Sequence, residues 1–208
     1  MRVLCSAHPG TRLAGVFPRN PHSPSRFRVW RRLGLITLLT LAPVTAGQVN
    51  PASKIRLPVF TYVRAAQPTP KARPGERRAL TISTGQRELN LTLGQLQAMP
   101  AVRYTTHHPQ LKRSFTYEGV TLRDLAARGG FLGRDLRVYA ANGFASTIRA
   151  EDYLNWPIML AYRADGAPIP ILQKGPLTVV LPERPERFHA GEYSAAWVWF
   201  AERIAPAQ

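Results

Sequence analysis

The stretch that most limits what this chain can become is 163–182, RADGAPIPILQKGPLTVVLP. Asp165-Gly166 is a pair that accepts positive φ and marks a tight turn. Pro168, Pro170 and Pro176 then hold the backbone extended, forbidding both helix and a central-strand ladder until Leu177. LTVVL follows, a continuous apolar run rich in β-branched residues, and predicts a strand buried on both faces. The run after Pro157, IMLAYR, predicts a second. Two core strands therefore flank a stiff, exposed loop carrying Gln173, Lys174 and Gly175. A rigid loop over a buried sheet is a usual place for a ligand site.

Around this loop the pattern is one of short, mixed elements. ALTIS from Ala79 predicts a strand that turns at Thr84-Gly85. Thr92 with Gln95 three residues later predicts a capped short helix, ended at Met99-Pro100. VRYTT from Val102 alternates as a half-buried strand and runs into His107-His108-Pro109. A strand from Ser114 closes on Gly119, and a helix follows. Thr121 caps that helix, Asp124 sits at its positive end, Leu122, Leu125 and Ala126 form its apolar face, and Gly129-Gly130 end it. Asn142-Gly143 predicts a hairpin turn, AEDYLN from Ala150 a single helical turn, and Trp197 and Trp199 share one face of a closing strand. At least seven strands and two or three helices, without a regular βαβ rhythm, predict an α+β domain of mixed short β-sheets with a few short helices.

Charge is not spread evenly. The formal net charge is +16, but residues 1–46 hold seven arginines and no acid, leaving a net of +9 over the other 162 residues. No Lys/Arg run there is interleaved with stacking aromatics, and no zinc or RNP-type motif occurs, which excludes a dedicated nucleic-acid binder. Attraction to anionic lipid or to an acidic partner is a milder use of the same charge. Arg31-Arg32 precede about a dozen apolar residues, too few to span a bilayer of roughly 20-residue thickness comfortably. They fit the apolar core of a signal peptide cleaved after Ala46, with an N-terminal membrane anchor as the alternative. The arginine pair serves ordinary secretion or a twin-arginine signal. Export to a bacterial periplasm is the expectation, with 1–46 as extension and signal peptide, 47–78 as a Pro-rich linker containing one short strand at LPVFTYV, and 79–208 as the domain. Cys5 is the single cysteine and precedes the signal, so the domain has neither disulfide nor Cys-based metal cluster.

Candidate chemistry is sparse. Adjacent His107 and His108 on a strand point to opposite faces, so they read either as a polar strand exit or as one wall of a ligand pocket. Lys174 suits an anion and Gly175 a close backbone approach, unless the Gly-Pro pair only serves strand entry. Asn142 is a turn residue or a ligand contact, and His189 a lone loop histidine. Glu151-Asp152 at a helix start are explained by capping. Ser114, Ser146 and Ser194 lack an elbow or triad setting, which leaves nucleophilic hydrolysis unsupported.

The order of segments carries a resemblance. LTLGQLQAMPAVRYTT, FTYEGVTLRDLAARGG, VYAANGFASTIRAEDY, ADGAPIPILQKGPLTVVLP and EYSAAWVWF, over residues 79–204, resemble the oxidoreductase molybdopterin-binding domain, the catalytic fold of the sulfite oxidase and periplasmic methionine-sulfoxide-reductase type families. The resemblance implies a sulfite-oxidase-like fold and a molybdenum–pterin cofactor whose metal is bound by a cysteine thiolate. Here the corresponding stretch, 105–109, reads Thr-Thr-His-His-Pro and has no cysteine. A neutral imidazole is a poor substitute for soft anionic sulfur on high-valent molybdenum. An arginine of the family falls where this chain has Tyr193. Asn142, Lys174, Gly175 and Ser194 match positions near the pterin pocket, and His107 and His108, in the stretch of the missing cysteine, join them as candidate cofactor contacts, with no catalytic or metal-binding residue assigned. Two functions follow as expectations. One is an exported molybdopterin-oxidoreductase-like protein, degenerate at its metal site; the other is a non-catalytic periplasmic module that binds a small anionic ligand or a pterin, or serves a membrane-bound partner.

Overall fold

The computed structural model describes residues 56–208. The expected signal peptide, its cleavage point after Ala46, the anchor alternative and Cys5 lie outside them. Among the described residues no helix is long and apolar enough to cross a membrane.

Two five-stranded sheets form the domain. The first begins with the hairpin of β1 (Arg78–Ser83) and β2 (Glu88–Thr92). The last strand, β10 (Ala201–Pro206), lies parallel to β1 and antiparallel to β5 (Leu136–Ala140), which pairs with β6 (Ala145–Ile148). The second sheet pairs β3 (Val102–His108) with β4 (Arg113–Thr121), and β4 with β7 (Met159–Ala164). Two short strands, β8 (Ala167–Pro168) and β9 (Thr178–Val180), share the other edge of β7. Pro168 thus sits where its missing N–H costs little, on an edge. Residues 177–181 are fully buried, as their apolar run requires.

Both capping signals operate. Thr92 Oγ1 accepts from Gln95 N while Gln95 Oε1 accepts from Thr92 N, opening α1 (Leu93–Gln97). Thr121 Oγ1 accepts from Asp124 N and opens α2 (Leu122–Gly129), which ends on Gly130 in the left-handed region. Leu122, Leu125 and Ala126 are its buried face. A third helix, α3 (Ala150–Asn155), precedes β7.

The structure corrects four readings. β4 does not close on Gly119 but continues to Thr121, and Gly119 is needed where β4 and β7 touch, because a Cβ there would lie 2.2 Å from the Leu160 carbonyl oxygen. The closing strand begins at Ala201, not Ala195, because Gly191–Ala196 form 3-10 turns and Phe200 takes φ of 53°. Trp197 and Trp199 therefore lie in the connection before it. LPVFTYV forms no strand: just after it Arg64 makes an isolated bridge to Ala101 rather than a ladder. Finally, the described part of the presumed linker is laid onto the domain: Phe60 is buried, Tyr62 Oη donates to Asp124, and Val63 N donates to the Ala101 carbonyl at 2.8 Å.

Candidate functional site

The loop after β8 turns back through a 3-10 turn at Ile171–Gln173 and enters β9. It faces the β5–β6 turn and the connection into β10, and between them lies a cavity of about 780 Å³. Leu177, Phe200, Ala201, Ala79 and Leu93 give it an apolar lining, with Arg77, Arg78, Asn142 and Glu202 as its polar groups. That size and mix suit a small ligand.

Of the residues singled out from sequence, Asn142 and Gly175 both line this cavity. Asn142 Oδ1 accepts from Phe144 N at 3.1 Å, so the side chain also closes its own turn. Gly175 is buried, and a Cβ on it would lie 2.0 Å from the Ile169 carbonyl oxygen. The glycine is demanded by packing inside its loop, not by the approach of a ligand. Lys174 takes positive φ, and its Nζ lies 3.9 Å from the Trp199 ring centre. A cation over an indole face is attracted by the ring quadrupole.

The two histidines part as strand alternation requires. His107 is exposed, and its backbone N–H donates to Glu183 Oε2 at 3.2 Å. His108 is 0% exposed, 4.8 Å from the Trp197 ring and 6.4 Å from that of Trp199. Its Nδ1 accepts from Leu111 N, while Nε2 is buried without a hydrogen-bond partner. Burial lowers its pKa to about 4, helped by the nearby charges of Lys174 and His107. His108 and Lys174 are thus joined through Trp199, apart from the cavity lining. Ser194 is exposed, and its carbonyl accepts from Gln110. His107 and Ser194 join neither group. His189 is exposed, with Nε2 2.7 Å from the Glu183 carbonyl.

Two charged centres escaped the sequence. Asp152, read there as a capping residue, is 2% exposed. Its Oδ1 accepts from Arg187 at 2.6 Å, and its Oδ2 from Arg149 at 3.2 Å and from the Tyr193 hydroxyl at 3.1 Å. Arg149 also bonds to Tyr193, and these partners raise its pKa, the hydroxyl first and Asp152 next. Tyr193 is therefore a buried hydroxyl in an ion-pair cluster. The spacing of Arg149 and Asp152 was a visible signal; Arg187, 35 residues on, was not. The second centre is Glu118, held by Arg64, Arg103 and Tyr162. Burial pulls its pKa up, yet the Arg103 hydrogen bonds and charge outweigh this and leave it lowered. Arg77 and Arg78, at the cavity, were missed because they fall in the presumed linker.

The donor set does not fit a molybdenum ion. The described residues contain no cysteine, and no group of three or more His, Cys, Asp or Glu side chains among them could hold a metal. In the 105–109 stretch, Thr106 Oγ1 donates to Glu183 and His108 is sealed among aromatic rings. The guanidiniums and apolar lining of the cavity suit a small, partly apolar anionic ligand.

No family model matches the sequence, and no curated protein sequence does. Among solved structures, the chain is similar to the sulfane dehydrogenase SoxCD from Paracoccus pantotrophus, at 19% identity and a TM-score of 0.49. The match covers 65% of this chain and 39% of that one, a partial likeness of architecture over well under half the length of the other protein.

Proposed function

We propose that this protein is an exported relative of the molybdopterin-binding oxidoreductases that has given up the metal and binds a small anionic ligand of pterin type. The observation that carries the reading is the contrast between two places. The 105–109 stretch, which resembles the family's thiolate loop, holds a buried, aromatic-enclosed His108 and no cysteine, whereas the cavity beside Asn142 and Gly175 is open and carries Arg77 and Arg78. A guanidinium matches a phosphate or carboxylate, and the apolar lining accepts a flat ring. Export rests on the apolar segment and small residues before Ala46.

The test is metal and pterin content of the exported protein, purified from a host that makes the molybdenum cofactor, followed by titration with a pterin monophosphate. The expected result is no stoichiometric molybdenum, and binding that Arg78→Gln weakens by about tenfold, the loss of one charge-assisted contact. Stoichiometric molybdenum would overturn the loss of metal chemistry. Absence of any pterin binding would overturn the ligand.

One observation favours the accessory-module reading as a second possibility. Ile171 and Leu172, at the tip of the loop, are 70% and 91% exposed. Apolar residues presented this way suit a membrane-bound partner. Photocrosslinking from position 172 in intact cells tests it, and failure to trap a membrane protein removes it.

A further inference from the structure

A second basic groove lies on the first sheet, apart from the cavity above. It has a volume of about 520 Å³ and is lined by Arg134, Arg137 and Arg203 together with Ser83, Tyr139 and Thr147. None of the three arginines makes an ion pair among the described residues. Neutral groups hold them instead. Arg137 Nη1 donates to Thr147 Oγ1 at 3.0 Å, Arg134 Nη2 to the Ala207 carbonyl at 3.3 Å, and the Arg203 guanidinium rests 3.6 Å from the centre of the Tyr139 ring. Such contacts fix the guanidiniums without spending their charge, so their repulsion stays uncompensated until an anion arrives. The nearby carboxylate of Asp135 is turned to the start of α3, where it accepts from Ala150 N at 2.7 Å. A carboxylate at Gln208, which lines one end of the groove, would still leave an excess of positive charge.

The register sets the spacing of the charges. On β5 and β10, Arg203 is opposite Tyr139, and Arg137 lies two residues along on the same face. Diagonal positions of this kind stand roughly 7–8 Å apart. Two arginines rooted at that backbone spacing, with a third lining the same groove, suit two linked anionic groups better than one. With the hydroxyls of Ser83 and Thr147 they supply more donors than two carboxylates can accept, which favours phosphates. Nucleic acid is disfavoured, because the groove's one aromatic ring is already covered by Arg203. We infer that the Arg134–Arg137–Arg203 groove is a binding site for a small molecule carrying a diphosphate group.

Calorimetric titration of the full exported protein with inorganic pyrophosphate tests this. One pyrophosphate per chain should bind at least about tenfold more tightly than phosphate, with affinity falling as salt rises. Arg137→Gln and Arg203→Gln should each weaken binding by about tenfold or more, and Arg128→Gln, an exposed arginine at the end of α2, should not. Because loss of the Tyr139 contact in Arg203→Gln affects the fold as well, Arg137→Lys is the second variant. It keeps the charge, loses the planar fork, and should bind more weakly than the parent and more tightly than Arg137→Gln. Absence of pyrophosphate binding, or an equal loss in Arg128→Gln, would overturn the site. Loss in Arg78→Gln with binding retained in Arg137→Gln would move it to the other cavity and also overturn it. Succinate binding as tightly as pyrophosphate would overturn the ligand class.

Discussion

At the scale of single residues, His108 and Asp152 show how burial decides what an ionisable group contributes. The fold holds His108 neutral, with its pKa lowered from 6.5 to about 4. As pH falls below 6.5 the unfolded chain takes the proton first, so stability is lost between there and about pH 4; above 6.5 this contribution is fully present. The loss amounts to about 3 kcal/mol across the window. In His108→Asn a side-chain oxygen can still accept from Leu111 N, but that variant should lack this part of the pH dependence, as urea unfolding at pH 4.5 and 7.5 would register. An unchanged slope would mean that His108 is not the group responsible. Asp152 works the other way, with two arginines and a hydroxyl compensating its burial. Asp152→Asn should cost about 1–3 kcal/mol in the same unfolding measurement at pH 7. Larger values are not expected, because Arg149 and Arg187 are 57% and 41% exposed and can return to water.

Among the elements, local signals were the legible ones. The Thr92–Gln95 box, the Thr121 cap and the buried run at 177–181 each declare themselves within a few residues, and each stands in the structure. Features that depend on a distant partner did not show. Gly119 reads as a strand end, and only the approach of β7 reveals it as a contact point inside β4. Gly175 reads as room for a ligand, and only the return of the chain past Ile169 reveals a packing demand. The two glycines therefore predict different outcomes from Gly85, which has positive φ but open space around it. Gly85→Ala should cost about 1 kcal/mol, the ordinary price of that backbone region. Gly119→Ala should cost several-fold more, roughly 3 kcal/mol, because two strands must separate to admit the methyl group. Gly175→Ala should shift the loop and weaken pterin binding as well as stability. Thermal unfolding of the three variants checks the order, and a Gly119→Ala no worse than Gly85→Ala would contradict the close approach.

For the whole molecule, the boundary of the domain is where composition misleads most. Five prolines between 47 and 78 mark an extended chain, and an extended chain need not be a detached one. Proline excludes a ladder, not side-chain packing. Phe60 is buried under Arg123, whose guanidinium lies 3.5 Å from its ring centre, and Arg64 bonds to Glu118 and Tyr162. A chain beginning at Ala79 would lose Phe60, worth about 3–5 kcal/mol by analogy with buried aromatic deletions. It would also take Arg64 from the buried Glu118, and remove Arg77 and Arg78 from the cavity. Set against a total stability of roughly 5–15 kcal/mol, that chain should be marginal or unfolded, and should not bind pterin. A chain beginning at Ala52 contains every residue of both charged centres and of the cavity, and should unfold in one cooperative transition. Urea titrations of the two truncated chains, followed by tryptophan fluorescence, decide between these boundaries. Equal midpoints would show that 52–78 is a linker after all, and would strip the cavity of its two arginines as structural parts of the site.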